Sequence, residues 1–289
     1  MEQPIFQGVC TALVTPFLDE SVNYPMLERL VKHQIDAGVS AVVLAGTTGE
    51  APTLTDEEKI TMFSRVKNYT ADNCTVICGT GSNSTAHAVA LSVAAEEAGA
   101  DALLIVSPYY NKATEDGLVA HYMSIAHAVN IPIILYNVPG RTGLDIPVSV
   151  YRRLSYIPNI VGVKEAGSDI TKIIRIQNEC PADFCVWSGN DAFAVPTMAL
   201  GGKGVISVVS NIFPKETVAM ANAALDGDFD TAADLQCKLQ PMVDLLFSEV
   251  NPVPVKAAMQ YIGFDCGICR LPLTDASENT KQRLKNIFT

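Results

Sequence analysis

The chain is poor in the residue types that mark several large functional classes. Aromatic residues fill 7% of its 289 positions, charged residues 18%, and there is a single tryptophan. Basic residues are outnumbered, 20 Lys and Arg against 31 Asp and Glu, giving a formal net charge of −11. A surface of that sign repels phosphate backbones and anionic membranes, so nucleic acid is not an expected partner. No apolar run approaches the roughly 18 to 20 residues that a membrane span needs. The opening Met1-Glu2-Gln3-Pro4 also lacks the basic segment and apolar stretch of a signal peptide. These absences predict a cytoplasmic protein with no membrane partner.

Eight cysteines are too sparse for a disulfide scaffold, and outside a secretory context they are expected to stay as thiols. Cys266-Gly-Ile-Cys269 is the one CxxC. A zinc site wants a second ligand pair, and Cys74 with Cys78 is a poor one, because residues four apart in a strand span about 13 Å. There is no HExxH and no carboxylate cluster at the positions where chemistry is expected. Gly79-Thr-Gly81 begins a GxGxxG, but Ser84 stands where the third glycine belongs, and the first turn, Thr15-Pro16-Phe17, carries no dinucleotide fingerprint. Neither a metal nor another cofactor is expected.

What is present, with 48% hydrophobic residues, is a repeated unit. An apolar β-branched run, a turn rich in Gly, Thr, Ser or Pro, and a helical stretch with apolar residues three to four apart recur eight times between Gly8 and Val209. The strand-like runs are Val9–Val14, Ala41–Ala45, Thr75–Cys78, Ala102–Val106, Ile133–Asn137, Ile160–Lys164, Phe184–Trp187 and Gly204–Val208. Most are continuously apolar, as in parallel strands covered on both faces. Thr55-Asp-Glu-Glu58 has capping-box spacing and predicts a helix start. Eight such units predict an α/β fold, a TIM-type (β/α)8 barrel, over residues 1–226. Residues 227–289 are expected to form a C-terminal helical extension, with helices near Asp230–Phe247 and Val255–Ile262 and then a polar tail.

Barrel active sites lie at the C-terminal ends of the strands, so the residues where each run stops carry the functional reading. Lys164 leaves the apolar Val161-Gly-Val for the barrel mouth. Desolvation favours a neutral amine, the form that attacks a carbonyl to make a Schiff base. A snorkelling lysine fits the same position, and position alone leaves both roles open. Tyr136 and Tyr110 end the fifth and fourth runs and could relay protons, or simply pack at the rim with their hydroxyls in water. Thr47-Thr48, between Gly46 and Gly49, offers hydroxyls and amides to a small carboxylate. Arg141, after Pro139-Gly140, could hold a carboxylate bidentately or make a surface ion pair. All four histidines fall on helix-like segments, where packing or solvated roles are expected. Gly201-Gly-Lys-Gly204 precedes its strand, on the bottom face, and is not a phosphate site.

At these residues the chain resembles the dihydrodipicolinate synthase family of pyruvate-dependent Schiff-base aldolases and lyases, along essentially its whole length. The matching segments are Gly46-Thr-Thr-Gly-Glu50, Gly79-Thr-Gly81, Pro108-Tyr-Tyr-Asn111, Tyr136-Asn-Val-Pro-Gly-Arg-Thr-Gly143, Val163-Lys-Glu165, Ser188-Gly-Asn-Asp191, Gly204-Val-Ile-Ser207 and Asn251-Pro-Val-Pro-Val-Lys256. The resemblance implies condensation of pyruvate with L-aspartate 4-semialdehyde, the first committed step toward diaminopimelate and lysine, in a homotetramer built as a dimer of dimers. It implies that Lys164 forms the imine, that Tyr136 shuttles protons, and that Thr47 links Tyr136 to Tyr110, which reaches a neighbouring subunit's site. Thr48 would hold the pyruvate carboxylate, Gly189 and Ile206 would line its pocket, and Arg141 would receive the semialdehyde.

The nearest alternatives are other lyases of the same family, N-acetylneuraminate lyases or keto-deoxy sugar-acid aldolases, which would share Lys164 and Tyr136. The Gly140-Arg-Thr-Gly143 run and the Thr47-Thr48 pair resemble the synthases instead. A non-catalytic barrel would be marked by loss of Lys164 or Tyr136, and both are present. Asn83 and Tyr109 match lysine-inhibited members, but His87 replaces an acidic ligand, and Asp56 and Lys59 replace two histidines. Weak or absent lysine inhibition is therefore expected, with Asp56 read as a solvated first-turn acid.

Overall fold

The continuous apolar runs become eight short parallel strands, Gly8–Ala12, Ala41–Leu44, Thr75–Gly79, Ala102–Val106, Ile133–Asn137, Ile160–Glu165, Cys185–Ser188 and Gly204–Ser207, in a computed structural model that describes residues 4–71 and 73–288. Each strand pairs with its neighbours in sequence, and the first closes the ring against the eighth, with Gly8 opposite Gly204 and Thr11 opposite Ser207. Glycine is required at that closure: Gly204 sits at φ +148, and a Cβ there would lie 1.9 Å from the Gly8 carbonyl oxygen.

Side chains alternate between two apolar layers, as strand pleating demands. One layer fills the barrel interior with Cys10, Ala12, Val43, Ile77, Leu104, Ile134, Trp187 and Ile206. Phe6 joins them just before the first strand, stacked on Trp187 at 5.0 Å and accepting from its indole N–H through the main-chain oxygen at 3.3 Å. The other layer lies between the strands and the surrounding helices, Tyr24–Asp36, Asp56–Thr70, Thr85–Glu97, Glu115–Ala126, Val148–Leu154, Thr171–Glu179, Ala194–Ala199 and Pro214–Leu225. Thr55 opens the second helix through both reciprocal bonds of the expected capping box.

Two local features differ from the sequence reading. A small hairpin, Phe17–Leu18 with Ser21–Val22, interrupts the loop after the first strand. The expected polar tail is partly a helix, Glu278–Phe288, following the helices Phe229–Leu246 and Val253–Met259. Its buried stripe, Thr280 and Leu284, is short and dilute, so polar residues dominate the composition; Phe288 stacks on Tyr261 at 5.2 Å. Among the described residues no helix is long and apolar enough to cross a membrane.

Candidate active site

Lys164 is the fifth of six residues in the sixth strand, 5% exposed, and in register with Tyr136 on the fifth strand. Both side chains point into the barrel, where the lysine ammonium lies 4.3 Å from the centroid of the Tyr136 ring. The Tyr136 hydroxyl is in turn 3.5 Å from the Thr47 hydroxyl. Amine, phenol and threonine hydroxyl are thus brought together from three strand ends. Gly189 abuts the lysine so closely that a Cβ would meet its Cγ at 3.0 Å and its Cε at 3.1 Å. Ile206 packs in the same interior layer.

A cavity of about 720 Å³ opens at this end of the barrel, with Thr47, Tyr136, Gly79, Gly81, Arg141 and Asn251 in its wall. Lys164 does not itself line it, but the Tyr136 ring that it contacts does. Thr48 is buried, and its hydroxyl oxygen accepts from the Asn251 side-chain amide at 3.0 Å, which leaves the hydroxyl proton to be given to an acceptor. Arg141, on the short helix Pro139–Thr142, is exposed and donates from Nη2 to the Asn251 main-chain oxygen at 2.9 Å. Asn251 therefore touches both proposed carboxylate-binding residues at once. It was not singled out from sequence, although it opens one of the matching segments.

The stretch that carries Asn251 is anchored by charge. Lys256 donates to Glu50 at 2.8 Å, both almost fully buried, and to the Ile268 carbonyl at 3.1 Å. The other Glu50 oxygen accepts from the Arg270 amide at 2.8 Å. Asp191 is a second residue that sequence reasoning passed over. One of its carboxylate oxygens accepts from the amides of Val208 at 2.9 Å and Val209 at 3.1 Å, and the other is buried without a partner. Burial pushes its carboxyl up, opposed by those hydrogen bonds, by Ser207 and by the charge of Lys164.

Tyr110 is not part of this assembly within one chain. It sits at φ +71 with 93% of its surface exposed. Asp56 is a first-turn acid with its side chain 48% exposed, as expected, and it stands at the cavity rim 2.8 Å from His87 Nε2 and 3.6 Å from Lys59 Nζ. Burial alone would raise it, but the hydrogen bond and charge of His87, followed by Lys59, hold it below the usual carboxylate range. The second ring nitrogen of His87 is 3.2 Å from the Ser82 hydroxyl. The first-turn aspartate is thus paired at the surface with a histidine on the next helix. The other histidines pack or cap helices, and burial holds His121 down to about 4.

All eight cysteines are free, and burial pushes Cys266 and Cys269 up to about 12, against the thiolate form that binds metals. Among the described residues no group of three or more His, Cys, Asp and Glu side chains is placed to hold a metal ion.

Fold and site together define a (β/α)8 barrel whose mouth sets a buried amine beside a phenol, a pairing suited to imine chemistry. Residues 5–289 match the dihydrodipicolinate synthetase family, and the chain belongs to it. It is 48% identical over 285 residues to the 4-hydroxy-tetrahydrodipicolinate synthase of Acetivibrio thermocellus, covering 99% of this chain and 97% of that protein. The crystal structure of dihydrodipicolinate synthase from Aquifex aeolicus has a TM-score of 0.96 at 42% identity, covering 98% of this chain and 97% of that one. The enzyme from Cyanidioschyzon merolae, solved with lysine bound, gives 0.95 at 39% identity, with 98% and 97% covered.

Proposed function

We propose that the chain condenses pyruvate with L-aspartate 4-semialdehyde through a lysine Schiff base to give 4-hydroxy-tetrahydrodipicolinate, the first committed step toward diaminopimelate and lysine. The observation that carries this reading is the buried Lys164 ammonium against the Tyr136 ring at the mouth of a barrel of this family. Once Lys164 has given up its ammonium proton, its amine attacks the pyruvate ketone, and the carbinolamine loses water as a proton is delivered to the departing hydroxyl. The protonated imine then draws electrons from the methyl carbon attached to its C=N carbon, and that methyl carbon gives up a proton to leave an enamine. That carbon attacks the aldehyde carbon of the semialdehyde, and the new alkoxide takes a proton. Finally the semialdehyde's own amine attacks the imine, closing the ring and releasing Lys164.

Tyr136, with Thr47 in reach of its hydroxyl, is placed to give and take those protons. Thr48 is assigned to the pyruvate carboxylate and Arg141 to that of the semialdehyde, with Gly189 and Ile206 shaping the pocket around Lys164. The exposed Tyr110 is assigned to a neighbouring copy's relay, in a homotetramer built as a dimer of dimers in the cytoplasm. Residues 1–226 would carry the reaction centre, and residues 227–289 would close its wall.

Pyruvate with borohydride should add one three-carbon unit per chain at Lys164, because reduction traps the imine, and mass spectrometry of a digest locates it. Modification at Lys256 or Lys112 instead, or full activity in Lys164→Ala, would sink the mechanism. A parallel assay with pyruvate plus N-acetylmannosamine should show no turnover.

A further inference from the structure

Immediately beyond the Tyr136–Lys164 pair, the next residues on the same two strands, Asn137 and Glu165, are also in register. Strand alternation turns their side chains the other way, out of the barrel and under the helices. There the Asn137 amide donates to Glu165 Oε1 at 2.7 Å, with Asn137 fully buried and Glu165 5% exposed. The same glutamate oxygen accepts from the Gly167 amide at 2.7 Å, and the other accepts from the Tyr151 hydroxyl at 3.0 Å. Lys172, itself buried, lies 3.5 Å from Glu165 and pairs with Asp145. Asn137 also donates to Asp145 at 2.7 Å and accepts from the Ile146 amide at 3.0 Å.

These side chains face the helix layer, on the opposite side of the strands from Lys164 and Tyr136, so none is placed to touch substrate. A buried charge network of this kind is weak evidence for stability, because apolar residues of similar volume commonly do as well. Its directional bonds do something apolar packing cannot. They fix the fifth strand to the sixth one residue past the amine–phenol pair, the chain after Lys164 through Gly167, and the far end of the Arg141 loop through Asp145 and Ile146.

Resting on the proposed Schiff-base reading, we propose that Glu165 is a positioning residue. Through Asn137, Gly167 and Tyr151 it holds Lys164 at its distance from Tyr136 from outside the barrel. A misplacement of about 1 Å between reacting groups can cost on the order of a hundredfold in rate. Glu165→Met, which keeps the volume and loses every bond, should therefore lower kcat roughly a hundredfold with little change in either KM, and slow pyruvate–borohydride trapping at Lys164 in parallel. Glu165→Gln, which can still accept from Asn137 and Gly167 and donate to the Tyr151 oxygen, should restore most of both rates.

Tyr151→Phe, which removes one bond without a cavity, should give a smaller fall in trapping rate and keeps the test open if Glu165→Met does not fold. Trapping by the wild-type protein separates the two readings: if it fails there, the Schiff-base assignment falls. If the wild type traps and a folded Glu165→Met, or Tyr151→Phe in its place, traps as fast, the positioning role is overturned. Glu165→Gln as slow as Glu165→Met would also overturn it, since the charge, not the placement, would then be what matters.

Discussion

Arg141 is an exposed guanidinium with one hydrogen bond holding it to the Asn251 carbonyl, so its remaining donors are free to meet a carboxylate at the cavity wall. Arg141→Ala should cost roughly 1.5 to 3 kcal/mol in use of the semialdehyde while leaving pyruvate trapping at Lys164 unchanged. Kinetics with each substrate varied in turn decide this, and equal loss for both would assign Arg141 a structural role. The Asp56–His87–Lys59 cluster bears on inhibition in the same way. The carboxylate available to meet a cationic effector there is already shared between an imidazole and an ammonium, and Lys59 adds repulsion. Lysine should inhibit weakly or not at all; saturable inhibition below about 1 mM, an affinity of roughly 4 kcal/mol, would show that other residues rebuild the site. The placement of Lys164, Tyr136 and the Thr47–Thr48 pair at the barrel mouth was legible in the sequence, because strand ends mark that mouth. Asp56 is the exposed first-turn acid that its capping context implies, but its pairing with His87 was not legible, because that partner lies 31 residues away on another helix.

At the scale of elements, the second helix and the C-terminal segment are joined by one fork. Arg270 donates from Nη2 to Glu58 Oε1 at 2.5 Å and from Nη1 to Oε2 at 2.8 Å, while its guanidinium lies 4.3 Å from the Phe17 ring centroid. The Arg270 hydrogen bonds hold the Glu58 carboxyl below the usual glutamate range, against the opposing effect of burial. A lowered carboxylate contributes stability that is fully present above its ordinary value of about 4.3 and is lost as pH falls through the lowered one. Arg270→Gln should thus cost about 1 to 2 kcal/mol near neutrality, a Tm drop of roughly 2 to 6 °C. That gap from wild type should close toward about pH 3. A gap that persists in acid would mean that Arg270 acts through its contacts to the Glu20 and Thr53 carbonyls instead. The strands were legible to within a residue or two because both faces are apolar. The last helix was not, because its buried stripe is only Thr280 and Leu284. Pairings such as Glu50–Lys256, 206 residues apart, leave no local trace at all.

For the whole molecule, Tyr110 poses a question that one chain cannot answer alone, since it is 93% exposed on a left-handed backbone and is not in the wall of the cavity. If it completes a neighbour's relay, chains carrying Lys164→Ala and chains carrying Tyr110→Phe, each nearly inactive alone, should complement when unfolded and reassembled together. Half of the resulting dimers would be mixed, and each would hold one intact site, for about a quarter of wild-type activity. Activity no higher than the sum of the two separate variants would place Tyr110 outside the relay. A different consequence follows from Asn251, Pro272 and Leu273 standing in the cavity wall beside residues such as Gly46 and Thr47. Domains generally fold as units during synthesis, at about 5 to 20 residues per second. On a translating ribosome the eight strands, all made by Ser207, can close while Thr48 still lacks its Asn251 partner and Glu50 still awaits Lys256 and Arg270. A barrel closed at that stage would have its shape and its lysine but not its finished pocket, which the growing chain would gain only with its last few dozen residues.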